Sequence, residues 1–121
     1  MQPIVCWTEI PVTDLKKAVD FYSEVFGWKM EITPMGPNDA AVFNGVDDAA
    51  GGHLYPGTPA ENGTGTTVHL TVPDSVDASA ERVTQAGGTV IGPVVDIPAG
   101  RFQYAIDPDG NSIGLFEPKA A

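Results

Sequence analysis

The sequence has little of several things, and each shortage narrows what the chain can be. A single cysteine in 121 residues permits no internal disulfide, which fits a reducing, cytoplasmic setting. Six basic residues stand against sixteen acidic ones, a net charge of −10. No basic patch survives that balance, so nucleic acids and anionic membrane surfaces are poor partners. No apolar run approaches the ~18 residues of a membrane span. The opening residues lack the basic-then-apolar pattern of a signal peptide. No glycine-rich phosphate loop followed by lysine occurs, and no nucleophile elbow, which disfavours nucleotide and acyl-enzyme chemistry.

What is present is one domain's worth of chain, 42% hydrophobic and written twice. The segment from Glu9 to Trp28, EIPVTDLKKAVDFYSEVFGW, and that from His69 to Gly88, HLTVPDSVDASAERVTQAGG, superimpose without a gap. Glu9 falls on His69, Val12 on Val72, Asp14 on Asp74 and Gly27 on Gly87. This is a duplicated supersecondary unit. Residues 4–12 alternate as a strand does. Asp14 is a helix N-cap, and Leu15, Ala18, Val19, Tyr22 and Val25 or Phe26 form an apolar stripe that Gly27 ends. In the second copy Asp74 or Ser75 opens the helix and Gly87-Gly88 closes it. Three short strands follow each helix, near 28–33, 40–45 and 51–55, then near 89–97, 101–106 and 112–116. The expected fold is α+β: two tandem βαβββ modules, residues 1–56 and 66–118, joined by a linker at 57–65, their sheets curling around a central cleft.

Strand parity assigns faces. Val68, Leu70 and Val72 go under a helix, leaving Thr67, His69 and Thr71 opposite; the repeat then puts Trp7, Glu9 and Pro11 on the matching face. Ser112, Gly114 and Phe116 face that way in the last strand. If Leu54 packs on the helix side, His53 and Tyr55 face the cleft. The predicted cleft lining is Trp7, Phe43, His53, Thr67, Phe102, Gly114 and Phe116, with aromatics placed to stack on a planar ligand. Glu9 and His69, equivalent by the repeat, are the candidate acid–base pair for proton abstraction beside a carbonyl; the bland alternative is an ion pair on the cleft floor. Cys6 points to the core, and Asp47-Asp48 reads as surface.

The paired modules, the stretch IPVTDLKKAVDFYSEVFGW, the glycine pair at Gly87-Gly88 and the segment DPDGNSIGL together resemble the vicinal oxygen chelate superfamily, which includes glyoxalase I, extradiol dioxygenases and the fosfomycin- and bleomycin-resistance proteins. The likeness spans nearly the whole chain. It places four metal ligands at Trp7, near Gly52, at Thr67 and at Gly114, none of which has a competent donor for zinc or a similar ion. No cofactor is therefore expected, a divalent metal rebuilt on Glu9 and His69 being the alternative. The Asp107–Asn111 segment lacks the closing acid of a calcium loop and reads as a turn. The resemblance implies a glyoxalase-like protein that binds a small organic molecule, with metal-independent isomerase or lyase chemistry through Glu9 and His69 if it is an enzyme. The rival reading is non-catalytic sequestration of a drug or metabolite, where the negative charge suits a cationic guest; a blander third is an interaction module whose cleft its own side chains fill. Members of this fold commonly pair as homodimers.

Overall fold

The computed structural model describes residues 7–36, 38–43 and 51–120; Cys6 and Asp47-Asp48 lie outside them. Two four-stranded sheets carry one helix each. The first module runs β1 (Trp7–Val12), α1 (Leu15–Phe26), β2 (Ile32–Met35), β3 (Asn38–Phe43) and β4 (Gly51–Pro56). After a 3-10 turn at Glu61–Gly63 the second runs β5 (Val68–Thr71), α2 (Val76–Gln85), β6 (Thr89–Ile97), β7 (Gly100–Ile106) and β8 (Ser112–Pro118). The strand orders are β1-β4-β3-β2 and β5-β8-β7-β6, the same topology twice. In each, the first strand pairs in parallel with the last, and the other pairings are antiparallel.

Local chemistry sets the helices. Asp14 accepts a hydrogen bond from the Lys17 N–H, and Ser75 does the same for Ala78, satisfying donors that a helix start leaves free. Gly27 ends α1 at φ +76, a conformation that glycine adopts without a Cβ clash. The buried stripe of α1 is Ala18, Phe21, Tyr22, Val25 and Phe26; Phe21 joins it beyond the predicted spacing, while Leu15 and Val19 are half-buried at its edge. Under the helices, Ile10, Val12 and Leu54 of one sheet and Leu70, Val72, Ile113 and Leu115 of the other join a single core. The remaining sheet faces are free of helices.

One strand lies elsewhere than expected. Residues 28–31 are not strand; β2 begins at Ile32. Trp28 folds back and stacks on Phe43 at 4.4 Å, on Phe26 at 5.0 Å and on Tyr22 at 5.6 Å. Burying an indole in an aromatic stack outweighs the modest strand propensity of the segment.

The modules are joined at α1, α2 and the turn before β8. The Arg82 Nε–H donates to the Val25 carbonyl across the helix pair, 3.0 Å. Asp107, 3% exposed, binds the turn to the first module. One of its oxygens accepts the Asp109 and Asn111 N–H groups, both at 2.9 Å; the other accepts the Tyr22 hydroxyl at 2.8 Å and the Asn111 amide at 3.0 Å. The same Asn111 amide donates to the Pro11 carbonyl at 2.7 Å, and Asp109 accepts from the Thr13 N–H at 3.0 Å. Asp107 and Asp109 thus serve as turn and bracket, in line with the turn expected at this segment. Burial, then the neighbouring Asp107 carboxylate, pushes the Tyr22 phenol well above its ordinary value.

Candidate functional site

Each sheet presents a helix-free face, and the two differ in chemistry. On the first sheet Leu54 is fully buried, so His53 and Tyr55 fall on the other side with Trp7, Glu9 and Pro11. Register pairs Glu9 with His53. The Trp7 indole N–H donates to His53 Nδ1 at 2.9 Å, and the Glu9 carboxylate stands 3.4 Å from Nε2. With Nδ1 accepting from Trp7, Nε2 is the ring nitrogen nearer Glu9. His53 is largely covered, its side chain 12% exposed, whereas that of Glu9 is 63% exposed. Tyr55 meets the imidazole edge-on at 5.9 Å.

On the second sheet His69 is the centre. Register sets it opposite Gly114, and its imidazole lies across that glycine. A methyl group built on Gly114 would stand 2.5 Å from His69 Cε1 and 2.6 Å from Cγ. Phe102 packs edge-on against the ring at 5.0 Å and Tyr104 tilted at 5.7 Å, with Phe102 and Tyr104 themselves 5.2 Å apart. Phe116 pairs with Phe102 in register and shares the face, as do Ile91 and Val95 through Tyr104 and Phe102. Thr67, just before β5, is hydrogen bonded to the Ser112 hydroxyl. Among these residues there is no Asp, Glu, Lys or Arg.

Several expectations change. Glu9 and His69 lie in different sheets, as the repeat implies, and no ion pair joins them. The acid's imidazole neighbour is His53. Phe43 lines no cleft; it is 7% exposed, on the helix side, against Trp28. Gly52 is on that covered side too, where an added Cβ would meet the Phe43 ring at 2.7 Å. The helix-free position in β4 is therefore His53, one residue on. Gly114 leaves no open room, since His69 fills it. Tyr104, 42% exposed at the rim of the second face, was missed by sequence reasoning, although its two-residue spacing from Phe102 marks it. A slot of about 240 Å³ between the modules is bordered by Glu9, Pro11, Thr66, Val68 and Ser112.

Comparison with known proteins agrees with this architecture. Residues 4–115 match the family model described as the Glyoxalase/Bleomycin resistance protein/Dioxygenase superfamily, and the chain belongs to that superfamily. It is 34% identical over 116 residues to CFP32 of Mycobacterium bovis, named as a candidate glyoxylase; the match takes in 92% of this chain and 44% of that protein. The chain thus spans less than half the length of that relative. Among solved structures, TnmS3 from Streptomyces sp. CB03234, an antibiotic binding protein, is 30% identical, with a TM-score of 0.67 and 97% of each chain covered. A glyoxalase/bleomycin resistance protein from Albidiferax ferrireducens T118 shares the fold at a TM-score of 0.74 and 20% identity, over 97% of this chain and all of that one.

Proposed function

We propose that the protein holds a small, uncharged organic molecule with a planar part against the helix-free face of its second sheet, and that it does so without a metal. The observation that carries this is the His69 imidazole lying over Gly114. The fourth position of a superfamily metal site is thereby filled by a side chain from the neighbouring strand. The other three positions support the same reading. Trp7 has only an N–H donor to offer, and it gives that to His53. His53 in turn has its Nδ1 lone pair engaged by that N–H. Thr67 is bonded to Ser112. A zinc-type ion needs three or four good donors, and His53 is the one residue of this set with a nitrogen of that kind.

Aromatic edges and faces at Phe102, Tyr104 and Phe116, with no charged side chain among them, favour stacking on a neutral plane; His69 and the Tyr104 hydroxyl add hydrogen bonds that fix its orientation. The likeness to an antibiotic binding protein points toward binding rather than turnover. Metal-independent isomerase or lyase chemistry is the weaker reading, since Glu9 faces His53 rather than His69. Pairing of two chains through the apolar rim at Ile91, Val95 and Ile97, each exposed, would close the face over its ligand.

The test combines two measurements on the purified chain. Incubation with Zn, Ni, Co, Mn or Fe is expected to leave Tm unchanged and no metal bound after desalting. Neutral planar probes such as 2-naphthol and coumarin are expected to raise Tm, and Phe102→Ala to weaken them about tenfold, the worth of one good aromatic contact. A stoichiometric metal that raises Tm would overturn the metal-free reading. Planar probes that bind Phe102→Ala as well as the parent would overturn the assigned face.

A further inference from the structure

The first sheet's helix-free face carries a different set of groups, Trp7, Glu9 and His53. Trp7 is 44% exposed, yet its N–H is committed to His53, so what it offers a ligand is the face of the indole. Two residues along the same strand, on the same side, the Glu9 carboxylate projects into solvent. His53, largely covered, lies between both: it accepts from Trp7 on one ring nitrogen, and its other nitrogen stands 3.4 Å from the Glu9 carboxylate. A π face and a carboxylate are thus set side by side by a common positioning residue.

Both groups attract the same charge. The indole face is the negative end of the ring quadrupole and the strongest of the aromatic side chains for a cation. Donating its N–H to an imidazole shifts further electron density onto the ring. Among the described residues no Lys or Arg pairs with Glu9, and its polar neighbour is His53, whose Nδ1 accepts from Trp7. Arg82 and Arg101 are engaged with Asp74 and with Asp77, Asp96 and Glu117. A hard dication is a poor match, because it demands several oxygen ligands and one carboxylate supplies too few. A weakly hydrated organic cation, which needs a π face and one counter-charge, fits.

We propose that Trp7, Glu9 and His53 form a recognition site for an organic ammonium group, methylated or alkylated at nitrogen. The site draws on groups of the first sheet alone, and the probes that test it differ from those that test the second sheet's face.

The experiment uses the full chain labelled with 15N. It has two tryptophans, so the spectrum holds two indole N–H signals: Trp7 on the site, and Trp28, stacked between Phe26 and Phe43, as internal reference. Choline is titrated against its neutral isostere 3,3-dimethylbutan-1-ol, with sodium chloride matching ionic strength. The expected result is a saturable shift of the Trp7 signal with choline in the millimolar range, none of comparable size with the alcohol, and an unmoved Trp28. Glu9→Gln is expected to weaken choline about fivefold, as the loss of one exposed charge contact implies. The Trp28 signal reports that this variant remains folded. No selective Trp7 shift, an equal shift with the alcohol, or unchanged choline affinity in Glu9→Gln would each overturn the proposal. Because neither probe is planar, this outcome is separable from that of the naphthol and coumarin titrations.

Discussion

Replacing Gly114 with alanine is expected to destabilise the protein only while His69 is present. The added methyl would stand 2.5 Å from His69 Cε1 and 2.6 Å from Cγ, about 1 Å inside ordinary van der Waals contact. Backbone on both sides of Gly114 is held in sheet pairing to Tyr104 and His69, so the imidazole is the part that must yield. Swinging off the strand, it loses its edge-on contact with Phe102 and its tilted contact with Tyr104, about 0.5–1.5 kcal/mol each. Against this, alanine in a strand interior is favoured over glycine by about 0.5–1 kcal/mol. The net cost is about 1–2 kcal/mol, which at this chain length lowers Tm by roughly 3–10 °C. In a His69→Ala background the clash is absent, and the same substitution should be neutral or stabilising. Denaturant unfolding of the four proteins in this double-mutant cycle measures the coupling. An equal cost of Gly114→Ala in both backgrounds would refute the placement of His69 and, with it, the main support for a metal-free face.

Three further expectations concern the frame. Tyr22→Phe should cost about 1–2 kcal/mol, because one Asp107 oxygen loses a buried donor, and Asp107→Ala more, since four donors lose their acceptor together; urea unfolding decides, and a negligible loss in both would contradict the bracket. Phe43→Ala should cost about 3–5 kcal/mol as a core truncation, and a loss under about 1 kcal/mol would return Phe43 to the surface. Hydrogen bonds from Arg82 hold the Asp74 carboxyl at about 2, below its ordinary 3.8. A depressed folded value means the pair's contribution is present above about pH 4 and is lost as pH falls toward 2. The stability gap between the parent and Asp74→Asn should therefore narrow over that interval in acid titrations monitored by circular dichroism; a gap constant down to pH 2 would contradict it.

How far the sequence could be read follows from which signals are local. The duplication, the Asp14 cap and the Gly27 stop each depend on a few neighbouring residues, and the fold they imply is the one observed. Phe43 was misplaced because Ala40, Ala41, Val42 and Phe43 are apolar on both faces, so alternation has nothing to discriminate. Trp28 reads as the start of a strand from its neighbours alone; only the distant Phe43 and Tyr22 make it a packing residue. Glu9 and His69 are equivalent by the repeat, and equivalence in a duplication places two residues in corresponding positions of separate sheets rather than side by side. The Trp7–His53 bond spans 46 residues and depends on the β1–β4 register, which no local pattern encodes.

The Asp107 bracket has a consequence for how such a duplicated chain comes apart. One carboxylate closes the last turn of the second half and also anchors a helix of the first, so neither half can loosen there without stranding a buried polar group in the other. Two copies of one unit, each with its own sheet and helix, are thereby made a single cooperative body. Amide exchange in β8 and in α1 should share one opening free energy, and the repeat, so visible in the sequence, should be invisible to unfolding.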